Sequence, residues 1–225
     1  DANLTSTLKL MTEIAKQKTS SVSIELLQAM HSLNLNRKAP ELPEEKQVDD
    51  PELDRELKDA GIYDNRKEIE KNQSTILEHL FATLFIFLKE TKSEPHFIEA
   101  MNILRKFVTY INIEFVPEII EALKQNRFSV RAAIAAAQTA QKLCKVAQFS
   151  LDLRGFYIEV YTRSFEVLED RQALIDFLGM FDVISCDFDR SRTASFAKRL
   201  MTLAIHSPPD VAAGILLTIR VLLTN

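Results

Sequence analysis

The stretch that decides the fold is Ile76–Lys89, ILEHLFATLFIFLK. Leu77, Leu80, Phe81, Leu84, Phe85 and Leu88 fall at i, i+3, i+4, i+7, i+8 and i+11, one broad apolar face at helical period. A strand would alternate every second residue, and this run does not. The same period extends back to Tyr63, so one long helix is expected over Tyr63–Lys89.

Outward from it the pattern persists. Leu4–Ala15 and Val22–Leu33 read as two short amphipathic helices. Residues 34–50 hold Pro40 and Pro43 among many charges and read as a solvated linker. A short helix follows, with Asp50 as N-cap, Pro51 at the first helical position and Gly61 just past its end. Downstream, helices are expected to start near Pro95, Glu114, Ser129, Leu153, Arg171, Arg190 and Pro208. At the last of these, Ser207 is expected to cap, with Pro208 and Pro209 in the first turn and Asp210 completing a box-like S-x-x-D. Val108–Ile113 and Val183–Cys186 are the best strand candidates, and each continues a helical face.

Taken in pairs, the first helices begin near Asn72, Ile113, Leu153 and Arg190, a spacing of about 40 residues, the period of HEAT and armadillo repeats. Short connections imply antiparallel neighbours. The expected fold is therefore all-α, a HEAT/armadillo-like helical-repeat solenoid of antiparallel helix pairs. Its organisation is an N-terminal helix pair at 1–35, an acidic proline-containing linker with a short helix at 36–62, and a helical-repeat domain at 63–225. In that domain Ala132, Ala133, Ala135, Ala136, Ala137 and Ala140 thin one helix for close packing. The start at Asp1, and the stop at Asn225 directly after an apolar pattern, read as a trimmed piece of a longer chain.

Composition narrows the function. The 225 residues include only 4 glycines, too scattered for a phosphate-cradling loop or a dinucleotide fold. Two cysteines, Cys144 and Cys186, are too few for a disulfide framework, so a reducing compartment is the default. No signal peptide is visible, and the longest apolar run, Val211–Ile219, is too short to span a bilayer. The net charge of −4 has a local source. Glu41–Asp59 carries nine acids and three bases, so the remainder is slightly positive.

No HExxH, GxSxG, CxxC or P-loop occurs, and no enzyme, cofactor, metal or small-molecule substrate is expected. His31, His79, His96 and His206 lie in four different helices without ligand spacing. His79 reads as a histidine at the core boundary, and His206 as a last-turn residue facing the negative end of its helix dipole. Both cysteines read as small buried apolar groups. A hydrolase built on His206 or His79 remains the weakest alternative, because neither has a visible partner.

The charged group of most interest is C-terminal. Arg190, Arg192, Lys198, Arg199 and Arg220 face one acid, Asp210, from residue 190 onward. Arg192, Ser195 and Arg199 share one stripe at i, i+3 and i+7, opposite an apolar stripe of Phe196, Leu200 and Leu203. This is either a basic ridge for RNA phosphate or an acidic partner, or a solvated helix face. As a ridge, charge reversal at Arg192 and Arg199 weakens binding without unfolding the domain.

Ala194–Leu223, ASFAKRLMTLAIHSPPDVAAGILLTIRVLL, resembles the nucleolar complex-associated protein 3 family and, over roughly 153–225, the wider CCAAT-binding-factor superfamily. Phe196, Lys198, Arg199, Leu200, Leu203, Ala204, His206 and Pro208 stand at the family's F-x-K-R-L, L-A-x-H and proline-break positions. Of these, Phe196, Leu200, Leu203, His206 and Pro208 are the structural ones. Weaker matches run in order upstream: GFYIEVY (155–161), AAAQTAQKL (135–143), KFVTYINIEF (106–115), LDRELKDA (53–60) and VSIELLQAMHSLNL (22–35).

The resemblance implies a non-enzymatic nucleolar scaffold in large-ribosomal-subunit biogenesis and intranuclear transport. It further implies a second helical-repeat nucleolar complex protein as partner, contact with the pre-ribosomal particle and pre-rRNA, and residence in nucleolus and nucleoplasm with no membrane. The alternative is a helical adaptor in chromatin, replication-origin loading or nuclear transport. The sequence departs from the family at 41–50, where an acidic run replaces a usually basic linker. Partner binding is therefore expected ahead of RNA binding.

Overall fold

The structure, a computed structural model, describes residues 6, 9–10, 12–13, 23–33, 62–125, 128–148, 152–180, 184 and 189–224. The described residues are mostly helical, with no strand among them. The linker, the Asp50–Gly61 helix and Cys186 lie outside the described residues.

The chain divides into two compact units, Asp1–Glu90 and Thr91–Asn225, a division inside the 63–225 stretch. The first contains α1 (Ile24–Ser32) and α2 (Ile62–Glu90). Within α2 the buried stripe is Ile76, Leu80, Thr83, Leu84, Phe87 and Leu88. It is rotated from the expected face, since Leu77, Phe81 and Phe85 are only half-buried. Thr83 explains the rotation. Its hydroxyl donates to the His79 carbonyl at 2.8 Å and lies 3.0 Å from the Thr12 hydroxyl, so a polar residue sits satisfied in the core. Phe81 and Phe85 stack at the edge, centroids 6.3 Å apart.

The second unit contains α3 (Glu94–Lys106), α4 (Val116–Gln125), α5 (Val130–Ala147), α6 (Arg154–Arg163), α7 (Arg171–Leu178), α8 (Arg190–His206) and α9 (Pro209–Thr224). Short 3₁₀ segments occupy Val108–Tyr110, Ile113–Phe115 and Ser164–Glu169. Val108–Ile113, read as continuous helix, is instead a 3₁₀ turn followed by an extended break at Ile111 and Asn112.

Helix α5 is the centre of this unit, packing against α3, α4, α6 and α7. Its thinness permits this: Ala132, Ala135, Ala136, Ala137 and Ala140 are all buried. Polar ties fix its ends. Ser129 caps it, accepting from the Arg131 amide at 3.2 Å and donating to the Glu94 carboxylate at the start of α3. Arg105 of α3 donates to Gln138, and burial pulls its pKa below the usual arginine range. Arg131 meets Asp176 of α7 at 2.9 Å.

At its C-terminus α5 ends on Gln148 at φ 52°, a left-handed position that glycine normally fills. Gln148→Gly is expected to raise stability by about 0.5–1 kcal/mol, read as a higher denaturation midpoint.

Helices α8 and α9 pack on each other, and α9 also on α7. Gly214 of α9 makes the second contact close, since a Cβ there would stand 3.4 Å from Leu178. The turn between α8 and α9 differs from its expected capping. The Ser207 hydroxyl donates backward to the Leu203 carbonyl at 2.7 Å, closing α8 rather than opening α9. Asp210 instead reaches Arg171 of α7 at 2.5 Å.

Candidate interaction surface

Helix α8 begins on an effective cap. The Asp189 carboxylate accepts from the amides of Ser191 and Arg192 at 3.0 and 3.4 Å. From there the apolar stripe is as expected: Phe196, Leu200 and Leu203 are 2%, 1% and 0% exposed. Ser195 is exposed.

The two arginines of the basic stripe do not stand free in solvent. On α6 and the 3₁₀ segment after it, Tyr157, Tyr161 and Phe165 recur at i, i+4 and i+8. On α8, Arg192, Phe196 and Arg199 recur at i, i+4 and i+7. The two rows interdigitate. Arg192 Cζ lies 5.3 Å from the Tyr157 ring centroid, and Phe196 meets Tyr161 edge-on at 5.4 Å. Arg199 Cζ lies 4.3 Å from Tyr161 and 4.5 Å from Phe165. Each such stack contributes about 0.5–1 kcal/mol at a partly exposed site.

The expectation that charge reversal at both arginines leaves the fold untouched therefore changes. Arg199→Glu is expected to lower stability by about 1–2 kcal/mol through the two lost stacks, seen as a reduced melting temperature.

The other basic residues are dispersed. Arg190 and Lys198 are exposed on α8, and Arg220 is exposed on α9. Of the five, the structure brings Arg192 and Arg199 to one aromatic seam. The ring spacing in GFYIEVYTRSF (155–165) was the available signal for it. His206 is the exposed last residue of α8, and Pro208 is exposed in the turn. Cys144 is half-buried rather than buried.

Beside the seam, Arg163 ties its segment together. It donates to both Glu166 oxygens at 3.0 and 3.1 Å and to the Phe128 carbonyl at 2.6 Å. The hydrogen bond from Arg163 holds the Glu166 carboxyl below its ordinary value of 4.5. A depressed carboxylate pKa adds stability that is present above the unfolded-state value and lost as pH falls through the folded one. Glu166→Gln is thus expected to destabilise by under about 1 kcal/mol at neutral pH, the difference from the parent vanishing on acidification. Melting curves from neutral pH down to acid check this.

A surface cleft of about 630 Å³ opens between the starts of α3, α5 and α7, lined by Glu94, Glu99, Arg131, Glu166 and Asp170 among others. Four of its carboxylates have structural partners. Glu94 accepts from Ser129, Glu99 from Asn102, Glu166 from Arg163, and Asp170 caps α7 through the Gln172 amide. Among the described residues, no three His, Cys, Asp or Glu side chains converge as metal ligands. No helix among them is long and apolar enough to cross a membrane.

Helix α9 is apolar on two sides. Val211, Ile215 and Ile219 are buried, while Leu216 and Leu217 are 57% and 62% exposed. On α8, Ile205 is 79% exposed. Leu216 and Leu217 thus leave an exposed apolar face on α9 opposite its buried one.

Residues 133–225 match the CBF/Mak21 family. The chain is 26% identical over 185 residues to the Nucleolar complex protein 3 homolog of Homo sapiens, covering 76% of this chain and 23% of that protein. It is 28% identical over 184 residues to the homolog of Xenopus laevis, again 23% of that protein. The chain thus spans about a quarter of the length of these relatives. No solved structure matches it.

Proposed function

We propose that this chain is a non-enzymatic nucleolar scaffold in large-ribosomal-subunit assembly, because residues 133–225 match the CBF/Mak21 family and its likeness to nucleolar complex protein 3 runs over three-quarters of its length. In this reading it pairs with a second nucleolar complex protein, rides on the pre-ribosomal particle and accompanies it from nucleolus to nucleoplasm. The carrying observation is the family match, which covers the helices α8 and α9 that present the two-sided apolar surface.

The scaffold geometry we propose is a helical-repeat solenoid. Alternate helices begin at 94, 130, 171 and 209, and at 116, 154 and 190, which keeps a period of about 40 residues. Repeats of this kind bury their core between neighbouring pairs and leave extended faces for partners. The exposed leucines of α9 supply such a face. The seam arginines and the exposed Arg190, Lys198 and Arg220 supply polar contacts, with direct pre-rRNA contact a lesser part.

Purification of the tagged protein from nucleoli, followed by sequencing of crosslinked nucleic acid, tests this. Precursor rRNA of the large subunit together with a second nucleolar complex protein is the expected yield. Recovery of the protein alone contradicts the reading. Recovery of origin DNA would instead favour a chromatin adaptor. Leu216→Ser with Leu217→Ser is expected to release the protein partner while far-UV circular dichroism stays unchanged.

A further inference from the structure

The second surface with unmet binding capacity is the arginine–aromatic seam. We infer that Arg199, Phe165 and Ile158 form a docking site for a protein segment carrying one carboxylate between apolar side chains. This does not depend on the nucleolar reading and concerns a face built from α6 and α8, apart from the leucines of α9.

Three observations carry it. The first is charge. Along this face the other arginines are matched by carboxylates: Arg192 by Asp189 at 3.7 Å, and Arg163 by Glu159 at 3.7 Å and Glu166 at 2.8 Å. Arg199 makes no ion pair among the described residues; its guanidinium lies over two rings instead. The second is preorganisation. Ring stacking engages the faces of a guanidinium, whereas its N–H donors lie in its plane and remain suited to a carboxylate fork. The stacks fix Arg199 beforehand, so little side-chain entropy is lost on pairing. The third is the apolar surround. Ile158 and Phe165 are 51% and 42% exposed and lie seven residues apart on the same side of α6 and its continuation as Tyr161. Arginine and aromatic residues set together dominate the energetics of protein interfaces.

RNA fits these observations less well. A base needs an open ring face to stack on, and Arg199 lies over both Tyr161 and Phe165. A phosphate chain needs several cations in a row, and Asp189, Glu159 and Glu166 interrupt the arginines here. One carboxylate with apolar neighbours matches Arg199 and the exposed Ile158 and Phe165.

The test is selection of a phage-displayed library of random 16-residue peptides on the 225-residue chain, followed by affinity measurement with the synthetic winners. The expected peptides share an Asp or Glu flanked by apolar residues. Their binding falls at least about tenfold with Arg199→Met and with Phe165→Ser, and is unchanged by Lys145→Ser on α5. Arg199→Lys, which keeps the charge but not the planar fork, is expected to lie between parent and Arg199→Met. Circular dichroism confirms that each variant is folded. The inference is overturned if no peptide is enriched, if the winners lack an acidic residue, or if they bind the Arg199 and Phe165 variants as well as the parent. It is also overturned if a fluorescent twelve-nucleotide oligouridylate binds at physiological salt and loses that binding in Arg199→Met.

Discussion

Replacing Phe177 by alanine is expected to lower the stability of the Thr91–Asn225 unit by about 3–5 kcal/mol. Phe177 is 2% exposed in α7, a helix of eight residues. A helix so short does not persist on its own propensity and is held by packing. Ala173 and Leu174 are the other two buried residues of α7, so Phe177 supplies most of its buried volume. The helix packs against α5, the 3₁₀ segment Ser164–Glu169 and α9. Loss of the ring leaves a cavity among these three neighbours. A domain typically holds about 5–15 kcal/mol in all, so urea denaturation should show a midpoint shifted far down. A loss under about 1 kcal/mol would mean that α7 is not seated as described.

Leu200→Ala in α8 is expected to cost about 2–5 kcal/mol. Leu200 is 1% exposed and lies one turn from Phe196 on one side and Leu203 on the other, both buried. Removing its isobutyl group opens the middle of the stripe that faces the core, while Phe196 is held in place by Tyr161 and cannot shift to fill it. The adjacent Met201 is 45% exposed. Met201→Ala is expected to change stability by less than about 0.5 kcal/mol. The pair thus separates burial from mere hydrophobicity: equal losses would contradict the assigned face of α8.

Much of this arrangement was legible in the residues. Helix starts near Pro95, Ser129, Leu153, Arg171 and Arg190 are found at Glu94, Val130, Arg154, Arg171 and Arg190 because proline, serine and aspartate punctuate the chain there. The alanine run of α5 and the Phe196–Leu200–Leu203 stripe were readable from spacing alone. What escaped depended on other parts of the chain. The core face of α2 includes Thr83, whose hydroxyl meets that of Thr12, seventy-one residues away. Ser207 looked like an N-cap, but the Leu203 carbonyl offered its hydroxyl an acceptor in the preceding helix.

The arginine stripe is the clearest case. Spacing identified Arg192 and Arg199 as neighbours on α8, and it could not show that α6 and the 3₁₀ segment after it would lay three rings beneath them. Charge patterning within one helix describes that helix's own surface. Whether the surface meets solvent, phosphate or an aromatic row is decided by which element packs against it.

The role proposed for this chain is that of a partner-bound scaffold of the nucleolus. Crosslinking mass spectrometry of the endogenous complex tests it most directly, with the exposed Lys198 of α8 as a reporter close to the proposed surfaces. Crosslinks from this region to a second helical-repeat protein and to proteins of the pre-ribosomal particle are expected. Crosslinks confined to the chain itself, from a species that sediments as a monomer, would contradict it.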